Sequence, residues 1–208
     1  MPRPFLILTG LTLLAAAPAL ADDHPPFMPS KDVSVVYSLS NTRPDAPKEA
    51  HMYYSASTGK MRLEAVGQPG YVIIDRPNGR MLLVMSNQHL YTEMPIRADL
   101  ASGFLLNENM KFRKLGSDTI AGLPCTNWEV QAPQASGVVC VTNDGVLLAG
   151  HGSDKDGTST ALKATAVSFK SEPPQFFAPP QGYQKVTLPP PGTAPGGAAG
   201  APQSPGGQ

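Results

Sequence analysis

The chain lacks the commoner catalytic signatures. G-x-S-x-G, H-E-x-x-H and a glycine-rich phosphate loop are all missing, which removes the usual hydrolase, zinc-protease and nucleotide readings. Cysteine is scarce: Cys125 and Cys140 are the only two, and without C-x-x-C spacing they make no redox motif. Charge of one sign is missing too. The 16 basic and 16 acidic residues balance, and no basic block is present to grip nucleic acid or an anionic membrane. Long apolar runs are absent: Phe5–Leu14 falls short of the roughly 20 residues a spanning helix needs. The later strands, at five to seven residues with charges on them, are short against the roughly 9–11 of an outer-membrane barrel. A calcium loop fails as well. Aligning Gly157 with the loop glycine puts Gly152 and Lys163 where carboxylates are required, so Gly150–Gly157 reads as a solvated hairpin loop. Glu64, Asp75 and Glu93 lie on separate strands and read as solvated rim charges. A non-enzyme is expected.

What is present begins with an export signal. Arg3, the apolar run Phe5–Leu14 and the closing Ala19-Leu20-Ala21 form the pattern of a cleaved leader. A retained N-terminal anchor is the alternative, disfavoured by the short run. Neither cysteine lies near the cleavage point, so no lipid is attached there through a thiol. The expected location is periplasmic, with no transmembrane segment in the mature chain. Cleavage after Ala21 leaves Asp22-Asp23-His24 with a free amine. An amine, two amides and an imidazole supply the four in-plane nitrogens that Cu(II) and Ni(II) prefer. Such binding is commonly adventitious, and no physiological cofactor is expected.

Residues 22–31 are proline-rich and irregular, and residues 32–186 form one domain able to bury its own core. Residues 187–208 hold six prolines, six glycines and no charge, the composition of a disordered tail. Within the domain, strands are expected at Val33–Leu39, Ala50–Ser55, Lys60–Val66, Tyr71–Asp75, Arg80–Met85 and Gln88–Met94. More follow at Phe112–Ser117, Cys125–Gln131, Gly137–Thr142, Val146–His151 and Ala161–Lys170. Turn residues separate them, at Ser57-Thr58-Gly59, Pro77-Asn78-Gly79, Ala121-Gly122, Asn143-Asp144-Gly145 and Asp156-Gly157. Roughly ten such strands make a sheet long enough to curl. Val72-Ile73-Ile74 and Met81-Leu82-Leu83-Val84 are apolar without alternation, so their sheet is covered on both faces. Helices, a second sheet or a bound apolar molecule would each serve.

One helix is expected over Ile96–Leu106. Ile96, Leu100 and Phe104 recur at i, i+4, i+8, with Ala101 and Leu105 widening the stripe and Pro95 at its start. It is placed across the concave face. Cys125 and Cys140, in an oxidising compartment, are expected to pair, closing a loop worth ~3 kcal/mol. A hairpin turning between Ala132 and Ser136 sets Cys125 nearer Asn143, so the pairing calls for a bulge or for Cys125 in the preceding turn. Met61, Met81, Met85, Met94 and Met110, with His51 and His89, suit either Cu(I) or an adaptable core or pocket. Core or pocket lining is the preferred reading.

GKMRLE, IIDRPNGRMLLVM leading to LYTEMP, AGLPCTNWEV, VCVTNDGVLL and FFAPPQGY resemble an uncharacterised bacterial envelope family. That family is similar to the LolA/LolB-like lipoprotein-carrier superfamily. The resemblance covers most of Val33–Val186, and each motif alone is weakly specific. It implies a curved antiparallel sheet, an open half-barrel, with a covering helix and a cavity for acyl chains. Two departures stand out: no amphipathic helix precedes the first strand, and a cysteine pair and a long tail are added. The expected function is non-enzymatic binding of a lipid or other apolar ligand in a groove lined by Ile73, Met81, Leu83, Met85 and Phe104. A structural or interaction module with a self-filled core is the alternative, and a hidden hydrolase comes third.

Overall fold

The computed structural model describes residues 24–96 and 106–187. Twelve strands form one mainly antiparallel sheet: β1 (Val33–Asn41), β2 (Glu49–Ser55), β3 (Lys60–Ala65), β4 (Gly70–Asp75), β5 (Arg80–Met85) and β6 (Leu90–Pro95) come first. Then follow β7 (Lys111–Ile120), β8 (Leu123–Ala132), β9 (Ala135–Val141), β10 (Leu147–Asp154), β11 (Ser159–Ser168) and β12 (Gln184–Lys185). The spatial order is β12-β6-β5-β4-β3-β2-β1-β11-β10-β9-β8-β7. Two meanders therefore flank β1. The chain walks outward from β1 to β6, crosses to the far edge, and returns from β7 to pair β11 with β1.

Turn chemistry explains the punctuation. Gly59, Gly79, Gly145 and Gly157 all take positive φ at the hairpin positions, and Ala121-Gly122 does so at two successive residues. Gly145 is required for a second reason. A Cβ there would lie 2.1 Å from the carbonyl oxygen of Met28. No side chain fits where the N-terminal segment presses on the β9–β10 turn.

The half-barrel with a covering helix is not what forms. The sheet is open, β12 and β7 end it without pairing to each other, and it does not curl into a half-barrel. Among the described residues the helical pieces are two 3-10 turns, Ser86–Gln88 and Pro174–Phe177. The expected helix Ile96–Leu106 falls on residues 97–105, outside the described residues, along with its Leu100 and Phe104. Its two ends are described: Ile96 packs on the main core and Leu106 is buried beside Trp128.

The cover comes instead from the irregular ends of the chain. On one face, Tyr54, Met61, Ile74, Met81 and Met94 are successive cross-strand partners. Cross-strand partners share a face. That face belongs to the main core, with Val33, Val35, Tyr37, Met52 and Leu148, and Met28 of the N-terminal segment packs on it. Tyr37 is fully buried, and its hydroxyl donates 2.7 Å to the Leu147 carbonyl. Burial pushes that phenol well above the usual range. On the opposite face, Ile73, Leu82 and Val84 pack with Tyr71, Tyr91 and Tyr183, the last from the C-terminal segment.

Candidate functional site

The residues assigned to one groove do not share one. Ile73 pairs with Leu82, whereas Ile74 pairs with Met81, so Ile73 faces away from Met81, Leu83 and Met85. Ile73 and Met81 are both fully buried. Leu83 and Met85 are half-buried, and Phe104 lies outside the described residues. On the same face of the sheet, over β1–β3 and β10 rather than at Leu83 and Met85, the N-terminal segment is seated. Pro26, Phe27 and Pro29 close over Tyr37, Met52, Met61, Leu106 and Leu147, leaving about 20 Å3 between them. That is room for about one water. The acyl-binding groove is overturned by this filling.

The segment is fastened by polar contacts as well as by packing. Ser30 N–H donates to the Asp144 carbonyl at 2.8 Å, and Lys31 pairs with the Asp144 carboxylate at 3.0 Å. Arg76 reaches the Met28 sulfur and the Leu106 carbonyl. His24 stacks on Phe27 with centroids 4.5 Å apart, and its Nδ1 lies 2.9 Å from the Pro25 carbonyl. Asp22 and Asp23, the other two residues of the nitrogen-ligand set, lie outside the described residues. Among the described residues no group of three or more His, Cys, Asp or Glu gathers to hold a metal. The methionine–histidine cluster does not assemble either. Met61 pairs with Ile74, whereas His51 pairs with Glu64 three positions along, on the other face. His89 packs edge-on against Tyr183.

The carboxylates are structural partners of cations. Arg62 holds Glu64, with Nε 2.6 Å from Oε1. Asp75, Arg80, Glu93 and Lys185 form a chain across four neighbouring strands, with contacts of 3.2, 2.9 and 2.8 Å. Hydrogen bonds from Lys185 and then Arg80 hold the Glu93 carboxyl below its ordinary value. Each of the three is paired with a cation.

The C-terminal segment is clamped by Arg62. Its guanidinium carbon lies 3.5 Å from the Tyr71 ring centroid and 4.0 Å from that of Phe176. It also donates 2.9 Å to the Phe176 carbonyl, and Phe176 packs edge-on to Tyr53. Phe177 is buried beside it. Sequence reading missed this clamp, although the paired aromatics of FFAPPQGY were its available signal. Replacing Arg62 with Ala removes two ring contacts and a charged hydrogen bond, a loss of about 2 kcal/mol. The expected outcome is faster proteolysis within residues 171–187 with the sheet intact. Unchanged cleavage there shows that Phe177 and Tyr183 hold the segment alone.

Two features are left open to solvent. The β7–β11 face carries a shallow depression of about 530 Å3, lined by Leu115, Ile120 and Val138 but also by Asp118, His151 and Lys163. Seating an acyl chain there would also bury Asp118 and Lys163, which is costly. Beside it, β7 ends the sheet with its outer edge unpaired among the described residues. The opposite edge is partly covered. There β12 runs parallel to β6, with Gln184 N–H donating to His89 and Val186 N–H to Tyr91.

Cys125 and Cys140 form a disulfide with Cα atoms 5.4 Å apart. No bulge is needed, and Cys125 sits in β8 rather than in the preceding turn. The β8–β9 register runs unbroken and sets Asn127 opposite Cys140. Cys125, two residues on and on the same face, bridges diagonally.

The arrangement is similar in fold to known structures. An uncharacterized conserved protein from Thermus thermophilus matches at TM-score 0.53 and 11% identity, over 76% of this chain and 90% of that one. MucB of Pseudomonas aeruginosa, in its complex with MucA, matches at 0.49 and 13%, over 76% of this chain and 58% of that one. A LolA superfamily protein from Nitrosomonas europaea matches at 0.41 and 9%, over 73% and 91%. No curated protein matches in sequence. No helix among the described residues is long and apolar enough to cross a membrane. The family described as "Domain of unknown function (DUF4412)" matches residues 36–156, more than half of the chain, and the protein belongs to it.

Proposed function

We propose that this protein is an exported, non-enzymatic interaction module of the cell envelope whose interior is filled by its own side chains. The observation that carries the reading is the seal on the Met61 face, where the N-terminal segment leaves about 20 Å3. A carrier keeps an enclosed apolar cavity of several hundred cubic ångströms for its ligand, whereas the depression of that size on the β7–β11 face is open to solvent and carries Asp118 and Lys163. Export is supported by the leader pattern of Met1–Ala21, and the disulfide fits an oxidising compartment such as the periplasm. With Glu64, Asp75 and Glu93 each bound to a cation, the carboxylates serve the sheet. Function then resides on the surface.

Native mass spectrometry of the protein purified from its own periplasm tests this, together with titration by a dansylated undecanoic acid. The expected result is the bare chain mass and no saturable rise in dansyl fluorescence. Stoichiometric lipid, or saturable probe binding abolished by Leu83→Glu, overturns the self-filled reading.

A further inference from the structure

The exposed edge strand β7 is built to accept its own copy. Resting on the interaction-module reading, we infer that a second copy of this chain pairs with β7 antiparallel about a two-fold axis between Leu115 and Gly116, setting Arg113 opposite the partner copy's Asp118. Three observations lead there. The first is the asymmetry of the sheet. One edge is covered in part by the two-residue β12, whereas β7 offers ten residues, mostly exposed, whose outer side pairs with no strand among the described residues. Its Thr119 N–H is held by one oxygen of the Asp118 carboxylate, which leaves the other oxygen for a partner. Unpaired edges of that length template another strand.

The second is the bulge. The β7–β8 register shifts between Lys114 and Gly116, so Leu115 is the extra residue and projects with 47% exposure. Arg113 and Asp118 are five positions apart, which in a regular strand sets them on opposite faces. The bulge reverses this. Arg113 is opposite Glu129 and Asp118 opposite Cys125, and those two residues lie four apart on unbroken β8, on one face. Only with the bulge do Arg113 and Asp118 share a face.

The third is charge. In the two-fold register Lys111 meets Ile120, Phe112 meets Thr119, Arg113 meets Asp118, Lys114 meets Ser117 and Leu115 meets Gly116. No cation opposes a cation, and two opposite-charge pairs form. A parallel, in-register arrangement would instead set Lys111, Arg113 and Lys114 beside their own copies, which is destabilising. Lysines and bulges commonly protect edges from indiscriminate pairing. Here they leave a self-complementary register. Arg113 is already held by Glu129 at 2.6 Å, but a guanidinium has five N–H donors and spans two carboxylates.

Sedimentation equilibrium of the mature chain over micromolar concentrations tests the pairing. Expected is a reversible dimer that weakens with added salt. Asp118→Arg sets arginine against arginine twice and is expected to weaken it by about tenfold or more. The exchange Arg113→Asp with Asp118→Arg restores opposite charges and is expected to recover the dimer. Amide exchange of the wild type adds a readout free of substitution: protection should rise with concentration along β7 and not elsewhere. A monomeric wild type overturns the proposal. So does a dimer indifferent to Asp118→Arg, or protection that rises on another strand. A monomer that still excludes the dansyl probe leaves the interaction-module reading standing, whereas lipid in the core removes that reading whatever the dimer does.

Discussion

Asp75→Ala is expected to lower stability by about 3 kcal/mol, near 8 °C in melting temperature for a domain of this size. Asp75 is 1% exposed at the end of β4. Its carboxylate accepts from the Asn78 side chain at 2.9 Å and from Arg80 at 3.2 Å, with Lys60 at 3.9 Å. It fixes the hairpin Arg76-Pro77-Asn78-Gly79 and anchors the ion chain that reaches β12. Alanine leaves Arg80 without one partner and the turn without its acceptor. Because Arg80 remains half in water, the cost sits at the low end for a broken buried pair.

The same group sets an acid limit. Burial works to raise the Asp75 carboxyl, but hydrogen bonds from Asn78 and Arg80 and the charge of Lys60 hold it below its ordinary value. A carboxyl depressed in the folded state binds protons more readily when unfolded. Its contribution is therefore complete above the unfolded value, about 3.9, and is lost as pH falls through the lower folded value. Urea unfolding from pH 7 down to pH 2 should show the Asp75→Ala penalty shrinking in that acid window. Glu93, also depressed, still titrates in the variant. A penalty constant to pH 2 would mean that Asp75 acts by packing alone.

The strands were legible in the sequence because their boundaries are chemical. Arg80–Met85 and its neighbours lie between residues that take positive φ, and all eleven expected strands form within a few residues. Double-faced burial was legible in Val72-Ile73-Ile74. What covers those faces was not, because the segments that do it carry no periodicity. Pro25–Pro29 reads as irregular and Pro173–Pro179 matches neither strand nor helix spacing, yet their prolines fix irregular backbone cheaply while Phe27, Met28, Phe176 and Phe177 supply apolar area. Assigning Ile73 to the Met81 face was an error of hairpin parity. The four-residue turn between Asp75 and Arg80 makes the partners odd and even, so Ile73 meets Leu82. Loop length alone carried that information.

Removing the disulfide is expected to cost about 3 kcal/mol, from the entropy regained by a 15-residue loop in the unfolded chain. Both cysteines are buried, at 4% and 2% exposure, among Ile120, Leu148 and Ala164, so the folded state loses packing as well. The double replacement Cys125→Ala with Cys140→Ala avoids leaving a buried hydroxyl, and isolates the cross-link from polarity. Its consequence is local to one half of the sheet. The bridge ties β8 to β9 next to the depression and one strand from β7, while β2–β4 keep the Arg62 clamp. Urea denaturation should show a lower midpoint, and amide exchange should quicken first in β7–β9. Equal loss of protection in β4 and β5 would mean that the two meanders unfold as one unit. A midpoint unchanged by the double replacement would mean that β8–β9 pairing already persists in the unfolded chain, and that the bridge constrains little.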